Sequence, residues 1–266
     1  MNFVQFNGLR IACRIEGTLD PSRPWVVLLH SLATSHRMWD EQVAALAPDY
    51  RILRIDLRGH GASGVPPGPY SLEMLADDLK AVFDELLIAQ AHVVGLSLGG
   101  MVAQAFALRH PIRVRSLVLA DTSSAASPDA VPVWEARIAQ VERFGMASVV
   151  ESTLERWFTP GFRARHPQRV AALAGLIRAT PVAAYAACAH AVARIALTAR
   201  LGVIACPVLV MVGTEDRGTP LPQAEAIVRA IVQSRLVRIR NAAHLANVEQ
   251  PAAFNAELLA FFASAE

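Results

Sequence analysis

The stretch that decides the fold is Gly95-Leu96-Ser97-Leu98-Gly99-Gly100. It follows the apolar run His92-Val93-Val94 and precedes a segment, 101–108, that reads as a helix. A serine at the tip of a tight strand-to-helix turn sits in a strained backbone conformation, and the residues two before and two after it must lack side chains that would clash. Gly95 and Gly99 meet that demand. Such a turn projects the Ser97 hydroxyl away from the sheet and sets the free N–H groups of the next helix behind it. Taken alone, the hexapeptide also reads as a glycine-rich link, because Gly and Ser are ordinary turn residues.

Its surroundings decide between the two. Upstream, 3–6 and 9–15 read as a hairpin about Asn7-Gly8, the strongest two-residue turn signal. Trp25-Val26-Val27-Leu28-Leu29 is a continuous apolar strand, as expected where both faces are covered. A helix is predicted over 35–46, a strand over 51–55, and a helix after the N-cap Ser71 with an apolar stripe from Leu72 to Leu86. Leu117-Val118-Leu119-Ala120 is a further strand, ending at Asp121. Strand and helix alternate, which argues for a parallel sheet with right-handed crossovers. The pattern then breaks. Between 123 and 200 only helical stretches are found, near 132–144, 146–158, 167–178 and 181–199, with Gly145, Thr159-Pro160-Gly161 and Thr180-Pro181 as separators. Alternation resumes with strand 208–212, helix 222–231, strand 236–239 and a last helix from Pro251 to the C-terminus. The expectation is a mostly parallel, doubly wound α/β core over 1–122 and 200–266, with a helical cap inserted over 123–199.

A serine hydroxyl is a weak nucleophile until a base takes its proton, and the base is a histidine held in one tautomer by a carboxylate. In this architecture active groups sit on loops at the C-terminal ends of strands. Ser97 follows one strand, Asp216 another, in Gly213-Thr214-Glu215-Asp216-Arg217-Gly218, and His244 a third, in Asn241-Ala242-Ala243-His244. Among the other histidines, His36, His110 and His166 read as helix-end or surface residues, and His60 lies in a loop with no strand carboxylate beside it. Asp216 has two rivals: Glu215, whose side chain diverges from its neighbour's, and Asp121 at the end of another strand. Attack on a carbonyl builds an oxyanion that needs two pre-placed N–H donors, each worth roughly 3–4 kcal/mol of the barrier. The backbone N–H groups of Leu98 and Leu32 are the candidates, with His30 propping the loop 30–34.

Composition excludes several classes. Of the 266 residues 53% are hydrophobic and 18% charged, so the chain can bury a sizeable core. The net charge of +2 is scattered, which argues against a nucleic-acid or anionic-membrane partner. The single lysine, Lys80, lies among Asp77, Asp78 and Asp84 on what reads as a solvated face, which argues against Schiff-base chemistry. Cys13, Cys188 and Cys206 are odd in number, far apart and in apolar surroundings, as reduced buried thiols are. No Cys/His spacing matches a zinc site, and no metal or cofactor is expected. Neither a signal peptide nor a bilayer-spanning run is found, which predicts a cytoplasmic protein.

Together these residues resemble the α/β-hydrolases, and more narrowly the 3-oxoadipate enol-lactonases. The resemblance runs through Ser31-Leu32-Ala33-Thr34 with Met38-Trp39-Asp40, Arg58-Gly59-His60-Gly61-Ala62-Ser63 with Pro67-Gly68-Pro69-Tyr70, the Ser97 turn, Arg156-Trp157-Phe158-Thr159-Pro160, Tyr185-Ala186-Ala187-Cys188 and His244-Leu245-Ala246-Asn247-Val248-Glu249. The segments 156–160 and 185–188 are the more particular to the lactonases. Those enzymes tend to carry Asn and Gly where this chain has His30 and Ala33, a broader esterase pattern. The resemblance implies opening of a five-membered enol-lactone by Ser97, Asp216 and His244 through an acyl-enzyme, with no cofactor. It also implies a cation for the substrate carboxylate. The cap offers Arg137, Arg143, Arg156, Arg163 and Arg165. Trp39, Trp134, Arg156 and Trp157 are the candidate substrate-binding residues, although core packing explains Trp134 and Trp157 equally well. A short-chain carboxylesterase, a cofactor-free perhydrolase and a non-catalytic receptor on the same fold are the alternatives.

Overall fold

A computed structural model describes residues 1–265. Among them, one sheet of eight strands runs through the molecule in the order β1-β2-β4-β3-β5-β6-β7-β8. The strands are β1 (Asn2–Phe6), β2 (Leu9–Gly17), β3 (Trp25–Leu29), β4 (Arg51–Ile55), β5 (Ala91–Leu96), β6 (Val114–Ala120), β7 (Val208–Gly213) and β8 (Ser234–Ile239). The β1–β2 and β2–β4 pairs are antiparallel and the remaining pairs parallel. All residues of β3, β5 and β7 are buried, because helices cover both faces and leave no position for a polar, solvent-facing alternate.

The core helices are α1 (Asp40–Leu46), α2 (Leu72–Glu85) and α3 (Leu98–Arg109). Next come α4 (Ala130–Phe144), α5 (Val150–Trp157), α6 (Pro160–Arg165), α7 (Pro167–Ala179) and α8 (Val182–Ala193), all between β6 and β7. The chain closes with α9 (Leu221–Ala230), α10 (Ala246–Glu249) and α11 (Pro251–Ser264). The Ser71 hydroxyl caps α2, accepting from Met74 N–H at 3.1 Å. From β3 the chain moves outward to β4, returns to β5 on the other side of β3, and continues to β8. The reversal opens a crevice beyond the C-terminal ends of β3 and β5, where α/β proteins bind ligands.

Four readings change. The stretch 181–199 is not one helix: α8 stops at Ala193, and the chain closes the base of the insertion by pairing Ala196 with Ala125. Ala126 N–H donates to the Ile195 carbonyl and Leu197 N–H to that of Ser124, so these backbone groups are satisfied across the stem instead of along a helix. Thr159-Pro160-Gly161 is a start, not a break. Thr159 accepts from Phe162 N–H at 3.2 Å and Pro160 occupies the first turn of α6, where its missing N–H costs nothing. The segment 35–46 is a 3-10 turn, His36–Trp39, followed by α1. The last helix ends at Ser264, and Glu266 lies outside the described residues.

Candidate active site

Ser97 leaves β5 at φ 56°, ψ −117°, a left-handed conformation a residue with a side chain adopts only under constraint. The constraint is local packing. A Cβ at Gly95 would collide with the Gly99 carbonyl, and one at Gly99 with the carbonyl of Leu29 on the neighbouring strand. Only glycine lets α3 start this close to the sheet.

The Ser97 hydroxyl lies 2.9 Å from His244 Nε2. Across the imidazole, Nδ1 lies 2.9 and 3.1 Å from the two carboxylate oxygens of Asp216. Asp216 is itself held on three more sides, accepting from Gly218 N–H at 2.7 Å, Thr219 N–H at 3.1 Å and the Thr219 hydroxyl at 2.8 Å. Burial alone would raise this carboxyl. The facing imidazole and the Thr219 donors outweigh it and hold the group below its ordinary range. In the tautomer with its hydrogen on Nδ1, the ring donates to Asp216 and Nε2 faces the Ser97 hydroxyl as an acceptor.

The two rivals for the acid occupy different places. Glu215 is exposed and lies outside the cavity. Asp121 is buried under the site, with one oxygen accepting from Gly213 N–H at 2.7 Å. Burial and the Asp216 charge push its carboxyl well above its ordinary range.

In the loop after β3, three of four N–H groups are committed. Ser31 N–H points at Met38 Sδ, Ala33 N–H at His60 Nε2 and Thr34 N–H at the Ser31 carbonyl. Among the described residues Leu32 N–H has no acceptor, and neither has Leu98 N–H, which opens α3.

Ser97, His244 and Leu32 face a cavity of about 160 Å³. Its lining includes Ser97, His244, Leu32, Trp134, Arg156 and Trp157. Trp39 does not belong there. The turn His36–Trp39 points its indole into the core, fully buried, 6.2 Å from Phe254 of α11. His36 is likewise no surface residue: buried, it holds Asp56 through Nδ1 at 2.8 Å. Of the five candidate arginines between β6 and β7, Arg163 is spent on Glu151 and Glu155, Arg143 lies over Phe144, and Arg165 is exposed. Arg156 reaches the cavity and makes no ion pair among the described residues. Arg137 stands behind the wall, donating to the Tyr185 hydroxyl at 3.1 Å and the Thr153 hydroxyl at 2.8 Å. Both residues line the cavity. Thr153 escaped sequence reading, because a lone threonine on a helix carries no signal. Thr219 had one, as the Asp-x-Gly-Thr spacing is a turn in which a carboxylate caps its own loop.

A family model described as the alpha/beta hydrolase fold matches residues 24–251. The chain is 36% identical over 233 residues to 3-oxoadipate enol-lactonase 2 of Acinetobacter baylyi, covering 88% of this chain and 86% of that one. The enol-lactonase from Burkholderia xenovorans LB400 has a TM-score of 0.95 at 34% identity, covering 98% and 100% of the two chains. A thermophilic esterase from Thermogutta terrifontis, solved with malate bound, has a TM-score of 0.91 at 31% identity, covering 99% and 97%.

Proposed function

The chain belongs to the alpha/beta hydrolase family, and from that premise we propose that it is a serine hydrolase opening a small carboxylic ester or enol-lactone, of the 3-oxoadipate enol-lactonase kind, through an acyl-enzyme. The observation that carries the reading is the unbroken relay from Asp216 through His244 to Ser97, ending in a cavity lined by Arg156, which makes no ion pair among the described residues. In this reading His244 Nε2 takes the Ser97 proton as Oγ attacks the carbonyl carbon. The oxyanion is held by the N–H groups of Leu32 and Leu98. The ring C–O bond breaks, and His244 returns the proton to the leaving oxygen. Water, activated by the same imidazole, then releases the acid and frees Ser97.

The cavity supports an anionic substrate. Each hydroxyl that accepts from Arg137 keeps its own hydrogen for another acceptor. Tyr185 and Thr153 thus present donors beside Arg156, and a carboxylate, which only accepts, fits such a wall. The volume suits a single small ring, since a cavity of about 150 Å³ admits benzene. Trp134 and Trp157 are the apolar walls, and residues 123–199 form the cap over a core of 1–122 and 200–266. A cytoplasmic location is part of the proposal. Among the described residues no single helix is long and apolar enough to cross a membrane.

The test is steady-state hydrolysis of p-nitrophenyl butyrate and of 3-oxoadipate enol-lactone by the parent and Ser97→Ala. Much higher kcat/KM on the lactone, lost in Ser97→Ala, is expected. Activity confined to the simple ester selects the carboxylesterase reading, which the esterase relative favours. Turnover surviving Ser97→Ala in pure protein excludes the mechanism.

A further inference from the structure

The loops after β3 and β4 hold each other through two imidazoles. Leu57 N–H, in the second loop, donates to His30 Nε2 of the first at 2.9 Å. Ala33 N–H, in the first loop, donates to His60 Nε2 of the second at 3.1 Å. The rings lie 5.0 Å apart and both are fully buried. Each Nδ1 faces a carbonyl, that of Ser31 at 2.7 Å for His30 and that of Arg58 at 3.2 Å for His60. This pattern permits only the neutral tautomer with its hydrogen on Nδ1, because a protonated ring would aim an N–H at an N–H. Burial, the largest cause, keeps both imidazoles below their ordinary range, His60 at about 3. The second loop is itself anchored by Arg58, whose guanidinium makes a two-pronged pair with Asp78 at 2.5 and 2.6 Å.

Ala33 is the point of strain in the first loop, with φ at 61°. An alanine enters the left-handed region only where its surroundings insist, and the bond to His60 is what binds its N–H there. With that N–H committed, Leu32 alone among the described residues between Ser31 and Thr34 keeps a free N–H. His60 does not line the cavity. Resting on the serine-hydrolase reading above, we propose that His60 is a positioning residue for the oxyanion hole: by accepting from Ala33 it holds the left-handed turn that leaves the Leu32 N–H for the developing oxyanion, while touching no substrate atom.

The role has a signature that loosened packing lacks, since it acts on the transition state and not on substrate binding. His60→Phe keeps a ring and removes the acceptor. His60→Gln carries an amide oxygen at the reach of Nε2, and His60→Asn is too short to reach Ala33. Each is assayed for kcat and KM on p-nitrophenyl butyrate and for inhibition by butylboronic acid, whose adduct with Ser97 places an oxygen in the oxyanion position. Loss of one oxyanion donor costs roughly a hundredfold to a thousandfold in kcat; a donor misaligned, not removed, should cost roughly tenfold to a hundredfold. His60→Phe is expected to lose that in kcat, with KM within about twofold and boronic acid affinity falling in parallel with kcat. His60→Gln should recover most of both, and His60→Asn little. If His60→Phe does not fold, parity of the Asn and Gln variants overturns the proposal. So does a folded His60→Phe that keeps its affinity for the boronic acid, or one whose KM rises while kcat holds. Ser97→Ala is run alongside. Activity that survives it removes the underlying reading, whereas Ser97-dependent activity indifferent to His60 removes this inference alone.

Discussion

The Glu249 carboxylate accepts from both the backbone N–H and the hydroxyl of Thr159, at 3.0 and 2.8 Å. Its second oxygen accepts from Ala243 N–H, one residue before His244. On the other side of His244, Leu245 N–H donates to the Trp157 carbonyl at 3.1 Å. The histidine is thus held between backbone bonds that reach into the inserted helices, and one buried carboxylate serves both parties. Glu249→Gln keeps the shape but turns an NH₂ toward one of the donors, leaving a buried N–H unsatisfied at about 1–3 kcal/mol. We expect kcat/KM to fall roughly tenfold and the melting temperature to drop. Kinetics and melting equal to the parent would show that His244 does not depend on this link.

Arg156 lines the cavity and makes no ion pair among the described residues. Hydrogen bonds to charged groups are worth about 1.5–3 kcal/mol. Arg156→Met should therefore lower kcat/KM for a carboxylate-bearing lactone or ester by roughly tenfold to a hundredfold and leave p-nitrophenyl butyrate almost untouched. Equal losses on both substrates would assign Arg156 to packing.

Trp39, buried against Phe254, is a core residue. Truncating a buried tryptophan to alanine costs about 3–5 kcal/mol. Urea unfolding of Trp39→Ala should register that loss, while the folded fraction retains the parent's KM. A KM raised well beyond twofold with stability intact would return Trp39 to the site.

Acid should destabilise the protein through its buried imidazoles. Burial, with Arg115 adding to it, keeps His92 neutral down to about 4. The unfolded chain, with an ordinary imidazole near 6.5, binds the proton first. The stability contributed by this group is thus complete above pH 6.5 and is lost as the pH falls toward 4, by about 3 kcal/mol for His92. His30 and His60 act in the same direction. His92 Nδ1 bonds the Ser116 hydroxyl at 2.7 Å, so His92→Asn preserves that contact and should flatten the acid limb of stability against pH. An unchanged slope between pH 6.5 and 4 would rule this assignment out.

Two glycines separate close approach from mere flexibility. Gly99→Ala drives a methyl into the Leu29 carbonyl, which as backbone cannot step aside. It should abolish soluble, active protein. Gly175, inside α7, has open space where a Cβ would go, so Gly175→Ala should stabilise by about 0.5–1 kcal/mol in thermal or urea unfolding. A tolerated Gly99→Ala would contradict the tight turn at Ser97.

The sheet was readable because continuous apolar runs such as Trp25–Leu29 and Val208–Gly213 fit only strands covered on both faces. The Ser97 turn was readable because its glycines answer a steric demand spanning five residues. The stretches 160–165 and 194–199 were misread for the opposite reason. Thr-Pro-Gly starts or stops a helix with the same residues, and Ala196 leaves the helical path for a partner, Ala125, that lies 71 residues earlier in the chain.

The α/β architecture, the helices between β6 and β7, and the loops on which Ser97, Asp216 and His244 sit follow from short-range periodicity and from the order of strands. Which arginine between β6 and β7 meets the cavity, that Trp39 and His36 face inward, and that His60 and Glu249 bind backbone on either side of the site are settled in three dimensions alone. Those outcomes depend on how helices and loops distant in the chain turn toward one another. Packing sets that rotation over the whole molecule, and no local stretch of residues encodes it.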